Sequence, residues 1–93
     1  IEYSDDDPRF FFYRGNIYMN KKKFAKAIQE YDHAIKIDST YADAWLNKGN
    51  ATFYKTGNKT DACPYWLKAH KHGRKNLINK IKSCPEFSMD MVR

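Results

Sequence analysis

A chain of 93 residues with a formal net charge of +6 has room for one small domain, which buries roughly 60–65% of its unfolded surface and must build its core economically. Its 42% hydrophobic content excludes a disordered chain. No apolar run approaches the roughly 20 residues a membrane helix needs, so no transmembrane segment is expected.

Four glycines and three prolines argue against a turn-rich all-β domain, and the abundance of Tyr, Phe and Trp points to an all-α fold packed with aromatic side chains. Asp5-Asp6-Asp7-Pro8 is a helix start: Asp7 can accept the free N–H groups of the first turn, and Pro8 loses nothing at the first helical position. The first helix then runs to about Met19, with Phe11, Phe12, Ile17 and Tyr18 at helical spacing. After a polar break at Asn20-Lys21-Lys22, a second helix covers about Lys23 to Ile37, where Phe24, Ala27, Ile28, Tyr31, Ala34 and Ile35 form one stripe. A third helix is expected from about Tyr41 to Tyr54 and a turn at Gly57-Asn58. Thr60 is the expected cap of a fourth helix that ends near His70, with Pro64 in its first turn and Gly73 beyond its end. A fifth, shorter helix over about Lys75–Ser83 stops before Pro85, and a loose tail follows.

The chain repeats itself. Phe11 and Trp45, Gly15 and Gly49, and Asn16 and Asn50 are each 34 residues apart. Ala27 and Ala62, Tyr31 and Trp66, and Ala34 and Ala69 are 35 apart. One residue is therefore inserted in the second copy, and the turn at Gly57 is the natural place for it. On these residues the chain resembles the tetratricopeptide repeat family: Phe11-x2-Arg14-Gly15-x2-Tyr18 with Ala27-x3-Tyr31-x2-Ala34, then Trp45-x2-Lys48-Gly49-x2-Thr52 with Ala62-x3-Trp66-x2-Ala69. Arg14 and Lys48 stand where the family has Leu, Thr52 where it has an aromatic (Phe53 is placed to substitute), and Ser39 where it has Pro.

The resemblance implies a right-handed α–α superhelix of five helices. Residues 1–7 are then an N-terminal extension, 8–40 and 41–73 two repeats, 74–84 a capping helix and 85–93 a tail. Leu77, Ile81 and Cys84 share the face that a cap would lay on the last hairpin. The ending from Ala62 to Cys84 also resembles the terminal repeat of some bacterial members.

Cys63 and Cys84 lie ten residues before and eleven after Gly73, so a hairpin turning there makes them neighbours. Two readings stand. A disulfide would staple the cap and place the protein in an oxidising compartment, periplasmic or secreted. Two buried free thiols would pack as small hydrophobes in a cytoplasmic protein.

Catalysis finds no support. No nucleophile stands at a useful distance from a base, and no glycine-rich phosphate loop is present. His70 and His72 point to different helix faces, so a zinc site with Cys63 and Cys84 is set aside, and no cofactor or metal is expected. The resemblance implies protein–protein interaction instead, with the first helix of each repeat lining a concave groove for a peptide or partner helix. Those positions hold Arg9, Phe12, Tyr13, Asn16 and Met19 in the first copy and Asp43, Leu46, Asn47 and Asn50 in the second. Asn16 and Asn47 match two residues of the family's carboxylate clamp, which holds the C-terminal Asp of chaperone tails, but Phe12 stands where a clamp lysine belongs.

Charge suggests the alternative. Residues 1–47 carry seven Lys/Arg against eight Asp/Glu, and residues 48–93 carry ten against three. Such a basic half can serve nucleic acid or an acidic surface. Thirteen of the seventeen cations are Lys, which favours solvated helix faces over base and phosphate recognition, so nucleic acid is not the expected partner. Three consecutive Phe residues, Phe10 to Phe12, cannot all face inward on one helix. A neighbour is expected over the first helix: an upstream repeat, if the chain is part of a longer protein, or a second copy in a homodimer.

Overall fold

The computed structural model describes residues 6–85. The beginning of the expected extension and residues 86–93 of the expected tail lie outside them. Among the described residues all regular structure is helical: α1 (Pro8–Asn20), α2 (Phe24–Ile37), α3 (Ala42–Thr56), α4 (Lys59–Lys71) and α5 (Ile78–Ile81). Each helix packs on the next in chain order, as short connections between amphipathic helices require.

Local chemistry explains most boundaries. The Asp7 carboxylate accepts the Arg9 backbone N–H at 2.9 Å and Pro8 takes the first helical position. Side-chain and backbone hydrogen bonds from Arg9, with its positive charge, hold the Asp7 carboxyl below the usual carboxylate range. Asp38, beyond the end of α2, accepts the Thr40 N–H and hydroxyl, which turns the chain into α3. Gly57 closes α3 at a left-handed φ of 73°, a conformation that glycine adopts without strain.

Four details depart from expectation. Asn58, and not Thr60, caps α4: its carboxamide oxygen accepts the Thr60 N–H at 2.9 Å. With α4 starting at Lys59, Pro64 falls inside the helix and removes the N–H that would have bonded the Thr60 carbonyl. The inserted residue is taken up by α3, which has 15 residues against 13 in α1, and the Gly57 turn is short. The fifth helix is a single turn, with Leu77 as its N-cap and Lys82 as its C-cap.

The core has two parts. Phe11, Phe12, Ala27, Tyr31, Ala34, Ala44 and Ala51 are buried together across α1, α2 and α3. Ala62, Cys63, Trp66, Leu67 and Ala69 of α4 are buried with Leu77, Ile81 and Cys84. A Cys63–Cys84 disulfide with a Cα–Cα distance of 5.7 Å ties the two segments. Phe53 packs against this second cluster, 6.2 Å from the Trp66 ring, while Thr52 turns its hydroxyl onto the Lys48 carbonyl.

Candidate peptide-binding groove

One device builds both hairpins. Gly15 lies so close to Tyr31 that a Cβ there would sit 2.6 Å from Cε1 of the ring, and a Cβ on Gly49 would sit 2.5 Å from Cδ1 of Trp66. The missing side chain lets an aromatic ring lie flat on the first helix of its hairpin. The residue after each glycine then satisfies the ring's polar atom. Asn16 Oδ1 accepts the Tyr31 hydroxyl at 2.6 Å, and Asn50 Oδ1 accepts Trp66 Nε1–H at 3.0 Å. Both rings are buried almost completely, so an unmet O–H or N–H would be expensive. Burial pushes the Tyr31 phenol up to about 12, while the nearby Asn47 amide pulls the other way.

The residues that depart from the family pattern are satisfied by partners of their own. Arg14 forms a two-pronged ion pair with Glu30, and its guanidinium lies 4.9 Å from the centre of the Phe10 ring. Lys48 reaches back from α3 to Asp32 on α2 and stands 4.3 Å above the Tyr65 ring. The Ser39 carbonyl accepts Trp45 Nε1–H at 2.8 Å.

The residues expected to line a groove have different fates. Asn16 and Asn47 come together: Asn16 Oδ1 also accepts Asn47 Nδ2–H at 2.9 Å, so a carboxamide pair bridges α1 and α3. Among the described residues the Asn16 amide hydrogens and Asn47 Oδ1 have no protein partner, which leaves donors and an acceptor side by side at a half-buried surface. Tyr13 is 46% exposed, and Met19 and Leu46 are half-buried apolar neighbours of the two clusters.

Phe12 belongs to the core, because its ring packs 5.2 Å from Tyr41 and 6.0 Å from Tyr31. Asn50 is occupied by Trp66. Arg9 and Asp43 lie at one end, where an open cleft of about 550 Å³ is lined by Asp7, Arg9, Asp38, Tyr41, Asp43 and Arg74, among others. There Arg9 pairs with Asp7 and Arg74 with Asp43. Burial pushes the Tyr41 phenol up to about 12, with Tyr13 and Asp43 adding to the shift. Arg74 was missed by sequence reading, because its place beside Asp43 depends on the turn after α4. Among the described residues no helix is long and apolar enough to cross a membrane, and no three His, Cys, Asp or Glu side chains gather as metal ligands would.

Residues 15–57 match the family model of the TPR repeat. No curated protein and no solved structure matches the chain. Repeats of this family mediate protein–protein interaction. The match runs from the glycine under Tyr31 to the glycine that closes α3, through the two packed helices between them. Over residues 15–57 the chain is thus similar to the tetratricopeptide repeat family.

Proposed function

We propose that the chain is a non-catalytic binding module that takes an extended peptide across the α1–α3 face. The Asn16–Asn47 bridge carries this reading. Two carboxamides joined by a hydrogen bond offer the donors and the acceptor that a peptide backbone needs, and the bonds that hold them lower the entropy lost on binding. Exposed Tyr13 and half-buried Met19 and Leu46 add apolar contact on either side of the pair. A free carboxylate is a poorer ligand, since buried Phe12 occupies the place of a clamp lysine. The Cys63–Cys84 bond suits work in an oxidising compartment.

An anion-binding surface on the lysine-rich second half is the alternative: Lys55, Lys59, Lys71 and Lys82 are exposed there, while the other described cations of that half are engaged. Lys48 pairs with Asp32, Arg74 with Asp43, Lys75 with the His70 carbonyl, and Lys68 and Lys80 lie over Trp45 and Trp66.

A random-peptide selection against the full chain tests the proposal. Selected peptides are expected to shift the side-chain amide resonances of Asn16 and Asn47, to bind with little dependence on salt, and to lose about tenfold in affinity with Asn47→Ala. Shifts confined to the lysines of α4 and α5, with binding that collapses as salt rises, would overturn it.

A further inference from the structure

Charge is not spread evenly along the helices. Neighbouring helices run in opposite directions, so the α1–α2 and α3–α4 turns come to one end of the molecule, and the α2–α3 link and the end of α4 to the other. The Phe24 and Tyr54 rings, 5.6 Å apart, join the two turns. Around them stand Lys21, Lys22 and Lys23 between α1 and α2, Lys26 in the first turn of α2, and Lys55 and Lys59 on either side of the Gly57 turn, all exposed. Among the described residues none of these lysines is in an ion pair. In segments 20–26 and 54–61 Asp61 is the one acid set against them. The far end is built otherwise, with Arg9 on Asp7, Arg74 on Asp43, and Asp38 beside them. Unpaired like charges gathered at one end oppose folding by self-repulsion, and no packing in the core calls for lysine at these exposed positions.

We propose that this end of the molecule docks on an anionic lipid bilayer. Lysine without arginine supplies point charges, which a layer of lipid headgroups meets without any fixed geometry. Tyr54, 58% exposed, and half-buried Tyr18 stand among the lysines. Tyrosine suits the headgroup level, where its ring finds an apolar boundary and its hydroxyl stays wet. A single nucleic-acid strand asks instead for a groove along its backbone and a row of open rings. Here the lysines surround a blunt end, Tyr18 lies under the Lys26 ammonium and Phe24 is set against Tyr54, while the open cleft is at the far end. The surface does not depend on what precedes or follows the chain. Further helical hairpins would extend the stack sideways, across the helix axes, and leave these turns open.

Near such a surface each lysine contributes about fivefold in affinity. Co-sedimentation of the full chain with vesicles of about 30% phosphatidylglycerol in phosphatidylcholine should show binding that is absent with phosphatidylcholine alone and falls steeply between about 50 and 500 mM salt. Lys21→Gln/Lys55→Gln, which takes one charge from each turn, should bind about 25-fold more weakly. Lys36→Gln/Lys71→Gln removes the same net charge from exposed positions at the far end. That end is about 20 Å away and beyond a Debye length of about 8 Å, so this variant should bind within about twofold of the parent. All four side chains are exposed, and circular dichroism should show both variants as helical as the parent. No binding to the anionic vesicles overturns the proposal. So does an equal loss in the two variants, which makes net charge the cause and not this end. A single-stranded oligonucleotide that displaces the chain from the vesicles overturns it too, in favour of nucleic acid. The Asn16–Asn47 reading shares no residue with this end and is untouched by any of these outcomes.

Discussion

Gly49→Ala is the sharpest probe of how the hairpins are held. In an unencumbered helix this change stabilises by about 1 kcal/mol, because alanine loses less backbone freedom on folding. Here the new methyl would lie 2.5 Å from Trp66 Cδ1, 2.6 Å from Nε1 and 3.2 Å from Cγ, so the ring or the helix must withdraw by close to 1 Å to reach ordinary carbon contact. Withdrawal is opposed on every side. Trp66 is 1% exposed, its N–H is bonded to Asn50, Phe53 lies against it and Lys80 sits 5.1 Å from its ring centre. Overpacking of this kind costs about 1–3 kcal/mol, and stretching the Trp66–Asn50 bond adds about 1 kcal/mol. These terms outweigh the propensity gain and leave a net destabilisation of about 1–3 kcal/mol. For a domain of this size that is a fall in Tm of about 5–15 °C. Urea denaturation followed by circular dichroism would read it as a lower midpoint with an unchanged slope. In a Trp66→Leu background the clash disappears, and the same Gly49→Ala change should become stabilising. A Gly49→Ala variant as stable as the parent, or more so, would refute the reasoning.

Two further outcomes follow from the core. Replacing both Cys63 and Cys84 by Ser opens a loop spanning 21 residues of sequence separation and should lower stability by about 3 kcal/mol. Amide exchange would quicken first over Leu77–Cys84, and equal protection with and without the bond would contradict the stapling role. Because the folded Tyr31 phenol is raised to about 12 from an unfolded value near 10, its contribution to stability is complete below pH 10 and is lost as pH rises through 12. Phenolate absorbance should therefore show a late step near pH 12 that shrinks in Tyr31→Phe, whereas a titration complete near pH 10 would contradict the burial.

The sequence alone was enough to expect helices in these places. The stripe from Phe24 to Ile35, the Asp7-Pro8 start and the Gly57 stop are local signals, and helix starts and stops are set by a few neighbouring residues. The 34- and 35-residue spacings reached further. They paired Gly15 with Gly49, Asn16 with Asn50 and Tyr31 with Trp66, although the bonds each pair makes were not foreseen. The short α5 and the Asn58 cap were harder to read, because lysine-rich helical spacing continues past the point where the chain turns onto α4.

Tertiary structure decided which polar and aromatic side chains are still available. Phe12 has helical spacing suited to a groove, but the ring positions of Tyr31 and Tyr41 draw it into the core. Asp43 and Asn50 bear useful groups that Arg74 and Trp66 already hold. Asn16 and Asn47 are 31 residues apart, and only the packing of α3 against α1 brings them into one bridge. Sequence periodicity tells which face of a helix is buried, since that depends on the 100° step between residues. What a buried or half-buried group bonds to depends on a neighbour from another helix, and that is set only when the helices meet.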